Sequence, residues 1–320
     1  MVRVYDGLMP ALVLVIVALV SSSAASLASW RLSRPRPKRP AAVAAGRRLA
    51  RLAGSHPGLR AVLDRRLDPQ STTGLGLSVA LLFTAGAGIL LGLLAYLVRT
   101  NEALADIDNG AARWGERHAS SASTHVLNGV TQLGSIYVVV GLCVVLAAAE
   151  LFRTRSRWVI PFVVAVVGGG ELMSTLIKHV VDRARPAFNP AAASLGPSFP
   201  SGHTTAAAAF YAAAALLLGR SRPRLARALL NGVALGIAMA VAASRVLLDV
   251  HWLTDVVGGL ALGFAWFMLC AMAFGGRILR FGVVAEVAEA ELEHGLSGPA
   301  EGGRRRDVTG RRCSVARGRL

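Results

Sequence analysis

The chain has 320 residues, of which 54% are hydrophobic and a further 34 are glycine, against about 45–50% apolar with glycine included in a soluble domain. The apolar residues fall in long runs, which excludes a single soluble globule and excludes disorder over most of the length. The formal charge of +17, from 35 Lys and Arg against 18 Asp and Glu, admits nucleic acid or a membrane surface as partner, and the placement of the charge decides between them.

A bilayer core about 30 Å thick needs roughly 20 apolar residues as a helix. Seven segments meet this, in chain order 7–30, 70–98, 126–149, 158–177, 201–219, 228–244 and 256–276. The fourth carries Glu171 inside it, and the fifth is close to half alanine. Small residues from Ser21 to Ser29 give the first segment the look of a signal-peptide cleavage region. Its leading residues hold only Arg3, offset by Asp6, so a retained helix is the better reading. The sequence therefore predicts an all-α polytopic membrane helix bundle, a six-helix core plus one extra N-terminal transmembrane helix. Its parts are the N-terminal helix 1–30, a basic cytoplasmic loop 31–74, the six-helix unit 75–276 and a cytoplasmic tail 277–320. In the tail, 281–294 reads as a short acidic helix and the rest as disordered.

Lys and Arg concentrate on the cytoplasmic side of membrane proteins. The segments 31–66, 152–157, 220–227 and 277–320 must share one side, and they hold 27 of the 35 Lys and Arg. Loop 99–125, segment 178–200 and turn 245–255 then lie on the outer side. Trp30 and Trp158 fall at cytoplasmic interfaces, where indoles are favoured. The basic loops are topology signals and contacts for anionic membrane lipids. No aromatic residues interleave the charges and no recognition motif is present, so nucleic acid is not a partner. Cys143, Cys270 and Cys313 have no metal spacing and form no disulfide framework.

Ionisable residues at membrane boundaries are costly, and on the outer side they gather at three places. The first holds Lys178, Arg183 and Arg185, the second Ser201, Gly202 and His203, the third Arg245, His251 and Asp255. Each suits an oxyanion. Lys178 ends a helix, where its ammonium reaches the boundary. Arg185 presents a planar fork for phosphate oxygens. Ser201 is a natural N-cap and Gly202 permits close backbone approach, so the helix they open directs N–H groups at an anion. His251 and Asp255 are four apart and share a helical face, where the carboxylate orients the imidazole. Taken singly, a boundary His or Lys is usually an interfacial anchor and a Ser-Gly pair usually only a cap. Several cations, two histidines and a carboxylate together on one face make a site.

These residues resemble the three-part signature of the type 2 phosphatidic acid phosphatase superfamily: Lys178 through Arg185-Pro186, Pro200-Ser201-Gly202-His203, and Ser244-Arg245 through His251 to Asp255. The resemblance covers about residues 75–276, and Thr131-Gln132-Leu133-Gly134-Ser135 is similar to the family more weakly. It implies that His251 attacks phosphorus to form a phosphohistidine, that Asp255 orients it and that His203 protonates the leaving group. Lys178, Arg185, Arg245 and the Ser201-Gly202 cap would hold the phosphate oxygens. No metal and no cofactor is implied. The family also contains soluble haloperoxidases that hold vanadate, a reading the seven spans disfavour. The implied substrate is a lipid phosphate at the outer leaflet: phosphatidate, phosphatidylglycerol phosphate or, slightly favoured, a polyprenyl diphosphate. A lipid-dependent phosphotransferase and a non-catalytic lipid-phosphate binder are the rival readings, and nothing in the sequence bears on oligomeric state. His118, His125 and His179 read as surface or interfacial, loop 99–125 as a surface loop beside the site, and Glu171 as a packing residue, with a role beneath the phosphate as the alternative.

Overall fold

The computed structural model describes residues 9–32, 72–187, 189, 192 and 194–278. The expectations for residues 1–8, the basic segment 33–71, the Trp30 ring and the tail from 279 lie outside them. Every regular element among the described residues is an α-helix: α1 (Met9–Leu32), α2 (Thr72–Thr100), α3 (Glu102–His118), α4 (Ser121–Gln132), α5 (Ile136–Thr154), α6 (Val159–Val181), α7 (Gly202–Gly219), α8 (Arg224–Leu247) and α9 (Leu253–Ile278). All but α3 and α4 are long and apolar enough to cross a membrane. The expected bundle is therefore the fold: six spans, α2 and α5–α9, with α1 as the extra helix.

Two expectations change. The apolar run 126–149 is not one helix. It breaks at Leu133–Ser135, where Gly134 lies so close to α7 that a Cβ on it would stand 2.6 Å from the His203 carbonyl oxygen. Ser135 then caps α5, its hydroxyl accepting from the Val138 amide at 3.4 Å. Loop 99–125 is also not a loop but α3 and the start of α4. Asn101 caps α3 through the Leu104 amide, and Ser120 with Ser123 forms a reciprocal capping box at α4. The buried positions of α3 are Asp108, Ala112 and Gly115, spaced at one helical face, and α3 packs on α8 and α9.

Helix α7 is the centre, packed by α5, α6, α8 and α9. Lipid tails are as apolar as leucine, so small residues that let backbones meet hold such bundles together. Ala206, Ala207, Ala208 and Ala209 are all buried. Gly259 and Gly263 of α9 approach the Ser201 and Thr205 carbonyls, with hypothetical Cβ distances of 2.7 and 2.6 Å. At the end remote from Asp255, buried Glu150 pairs with Arg153 at 2.8 Å and with Arg220, which ties α5 to the end of α7.

The same small-residue logic seats α1 on α8. Gly232 and Gly236 face Ser22 and Ser26, and a Cβ on Gly232 would lie 1.8 Å from the Ser26 hydroxyl oxygen. Asn231 also donates to the Ser29 hydroxyl at 3.0 Å. Gly232→Val is expected to destabilise the detergent-purified protein by about 1–3 kcal/mol, read as a lower thermal midpoint. Gly86→Val, at an open site on α2, is expected to change it by less than about 0.5 kcal/mol.

Candidate active site

The third cluster is built by a helix end. Helix α8 stops at Leu248, and Asp249 takes the left-handed conformation at φ 53°. The Asp249 amide donates to the Val246 carbonyl at 3.0 Å and the Val250 amide to that of Arg245 at 3.2 Å. This pairing is the Schellman closure, with Asp249 where glycine usually sits. The His251 amide also reaches the Arg245 carbonyl at 3.2 Å, so the turn brings His251 back over Arg245. Burial, with Glu116 adding to it, pushes the Asp249 carboxyl up to about 7.

His251 lies in the bend before α9 rather than on the helix, and Asp255 is in the first turn. They still meet. His251 Nδ1 is 3.4 Å from Asp255 Oδ2, and the same oxygen accepts from the Trp252 amide at 3.0 Å. Asp255 thus caps its own helix while backing the imidazole. On the other side, Arg185 lies 3.2 Å from His251 Nε2. A guanidinium only donates, so Nε2 is the acceptor and Nδ1 holds the proton facing Asp255. Burial pushes His251 down to about 4, against the opposing pull of Asp255. The ring is neutral at neutral pH with its Nε2 lone pair presented.

His251 faces a cavity of about 240 Å³. Its wall draws Glu171 and Lys178 from α6, Gly202 and His203 from α7, Arg245 from α8, and Gly134 and Ile136 from the α4–α5 turn. Arg185 and Leu195, from the segment between α6 and α7, complete it. Arg185 is held by the Val250 carbonyl at 2.7 Å and the Gly196 carbonyl at 2.9 Å. Arg245 donates to the Thr131 hydroxyl at 3.1 Å, and its buried Nε has no partner among the described residues. Three cations and two imidazoles therefore share one pocket, an arrangement that favours a multiply charged anion. Among the described residues no three His, Cys, Asp or Glu cluster to hold a metal ion.

The structure brings Lys178, Arg185, Gly202, His203, Arg245 and His251 to this wall, with Asp255 buried directly behind His251. Ser201 is placed differently from the expectation. Its amide donates to the Asp255 carbonyl at 3.0 Å and its hydroxyl accepts from Thr204 at 3.0 Å, so it braces the wall from behind. Glu171 lines the cavity, the alternative to the packing role that the sequence also left open. His125 and His179 are exposed, and His118 stacks on Trp114.

Sequence reasoning missed Asp108 and the placement of Arg183. Arg183 donates to Asp255 Oδ1 and to Asp108 Oδ2, both at 2.6 Å, and does not line the cavity. Asp108 sits two residues from Asp106 in the sequence, and nothing local marks it as the buried one of the two. Thr131 and Gly134 were visible only as a weak resemblance. Gly134→Ala is expected to lower kcat/KM by about tenfold or more, because the Cβ displaces His203. Gly202→Ala, whose Cβ would stand 3.4 Å from Lys178 Nζ, is expected to cost much less. Phosphate release by the two purified variants checks the order.

The PAP2 superfamily model matches residues 140–278. Phosphatidylglycerophosphatase B of Bacillus subtilis is 35% identical over 158 residues, 49% of this chain and 77% of that protein. Decaprenylphosphoryl-5-phosphoribose phosphatase of Mycobacterium tuberculosis is 34% identical over 138 residues, 41% of this chain and 70% of that protein. The crystal structure of a transmembrane PAP2-type phosphatidylglycerolphosphate phosphatase from Bacillus subtilis superposes with a TM-score of 0.57 at 30% identity, covering 62% of this chain and 98% of that one. Spans, cavity and relatives agree: the chain belongs to the PAP2 superfamily and is a multi-pass membrane hydrolase.

Proposed function

We propose that the chain is a lipid phosphatase that removes a phosphoryl group from a lipid phosphate or diphosphate through a phosphohistidine at His251, on the outer face of the membrane. The observation that carries this reading is the imidazole itself. Asp255 backs Nδ1 and Arg185 contacts Nε2, so the lone pair points to the same space as Lys178, Arg185 and Arg245. Nε2 attacks phosphorus, and the bond from phosphorus to the leaving oxygen breaks. His203 delivers the proton to that oxygen. Water then attacks the phosphohistidine, giving its proton to His203, and inorganic phosphate leaves with His251 restored. The cations hold the equatorial oxygens, the task that falls to metal ions in many phosphoryl transferases.

A lipid substrate is supported by the seven spans and by relatives named for phosphatidylglycerophosphate and for a decaprenyl phosphate sugar. The cavity has room for a phosphoryl head, with the acyl or prenyl chain left in the bilayer. Outer-face placement is supported by the charge bias of the loops. The retained helix 1–30 and the six-helix catalytic unit 75–276 belong to the same proposal, supported by the packing of α1 on α8.

Purified protein is expected to release phosphate from phosphatidylglycerol phosphate, phosphatidate or polyprenyl diphosphate, undiminished by EDTA, and His251→Ala is expected to be inert. A folded His251→Ala protein with appreciable turnover would end the reading. For the outer face, Leu195→Cys, in a background with the native cysteines replaced, is expected to react with an impermeant thiol reagent in intact cells. Thr154→Cys and Arg222→Cys are expected to react only after lysis, and the reverse pattern would place the site on the cytoplasmic side.

A further inference from the structure

We propose that Asp108, on helix α3, and Arg183, in the segment between α6 and α7, are positioning residues for the phosphoryl transfer, and that they set the orientation and charge environment of His251. The proposal rests on the reading of His251 as the nucleophile. Arg183 spans two buried carboxylates with the two arms of its fork. One arm donates to Asp255 Oδ1 at 2.6 Å and to the Thr254 hydroxyl at 2.7 Å; the other donates to Asp108 Oδ2 at 2.6 Å. Thr254 passes its own hydroxyl proton to Asp108 Oδ2 at 2.6 Å, and its amide donates to Asp108 Oδ1 at 2.9 Å. Asp108 therefore caps the first turn of α9, the turn that carries Asp255, from another helix. The residue between His251 and Leu253 is held by the same group. The Arg183 guanidinium carbon lies 5.4 Å from the Trp252 ring centroid, and the Trp252 indole N–H donates to the Ala184 carbonyl at 2.8 Å.

The charge count makes this more than a strut. Asp108 and Asp255 are 1% and 0% exposed, and one guanidinium serves both. Buried charges at such distances are weakly screened, so the field that Asp255 presents to His251 Nδ1 depends on both partners. Arg183 weakens that field, and Asp108 offsets Arg183. Among the described residues, the other charged or titratable groups facing His251 or its cavity are Asp255 from α9, Arg185 from the α6–α7 segment, Arg245 from α8, His203 from α7, and Lys178 and Glu171 from α6. Of these, only Asp255 is partnered by Arg183, so the other groups act on His251 equally in wild type and variants.

The test is the pH profile of kcat/KM with a short-chain lipid phosphate in detergent. His251 acts when neutral, so activity falls as pH drops through its titration. Asp108→Asn leaves Arg183 less compensated, the imidazolium is disfavoured, and the acid limb moves to lower pH. Arg183→Gln strengthens the field of Asp255, and the acid limb moves to higher pH. Each shift is expected to be about half a unit or more. Turnover is expected to fall about tenfold in Asp108→Asn and about a hundredfold in Arg183→Gln, with KM within about twofold of wild type. Arg183→Lys keeps the charge without the fork; it serves where Arg183→Gln does not fold, and is expected to lower kcat with the limb unmoved. Loss of activity with no opposed limb shifts, or an Asp108→Asn protein within twofold of wild-type kcat, would overturn the proposal. If His251→Ala is inert while Asp108→Asn behaves as wild type, the positioning role alone fails; if His251→Ala turns over, the nucleophile reading itself fails.

Discussion

The buried carboxylate of Asp255 is the constraint on which the site depends. A buried charge without partners costs several kcal/mol, and this one is satisfied from three directions at once. Arg183 holds one oxygen, and the Trp252 amide and His251 share the other. The backbone carbonyl of the same residue accepts the Ser201 amide. Those partners come from the α6–α7 segment, the turn before α9 and the start of α7. A single residue, through its carboxylate and its backbone carbonyl, therefore joins the three parts of the signature, which are far apart in sequence, and fixes the imidazole that faces the cavity.

Such a hub needs a frame that does not give, and the bundle supplies it through small residues. Alanines on α7 and glycines on α9 bring backbones together, so the first turn of α7 is held against the first turn of α9. At the other end, Glu150 ties α5 to α7 through Arg220. Between these two polar clamps the buried core of α5, α6 and α7 is apolar, with Val139, Phe162, Val166 and Phe210 among its members. The cavity is thus confined to one end of the bundle.

Much of this was legible in the sequence. Seven apolar runs are visible because the bilayer demands length and the absence of charge, and both can be read from residues alone. Lys178, Arg185, His203, Arg245, His251 and Asp255 were legible because charge at a membrane boundary is expensive and therefore informative. The break at Gly134 was not, since the reason for it is a steric approach to the His203 carbonyl from another helix. Nor was Asp108, because its partner Arg183 lies 75 residues away along the chain and read as one more boundary cation. Ser201 was assigned the usual work of an N-cap, but Thr204 and Asp255 claim its hydroxyl and its amide. The pattern of the misses is physical: local propensity and burial cost can be read in one dimension, whereas contacts between helices cannot.

The central claim is that the phosphoryl group passes through His251. Purified protein mixed with a lipid phosphate carrying radiolabelled phosphorus, quenched within a single turnover and digested in alkali-stable, acid-avoiding conditions, addresses it directly. The account predicts an acid-labile label on the peptide that carries His251, appearing before free phosphate and decaying as phosphate is released. Release of phosphate with no labelled protein at any time, or a label confined to the peptide that carries His203, would contradict it.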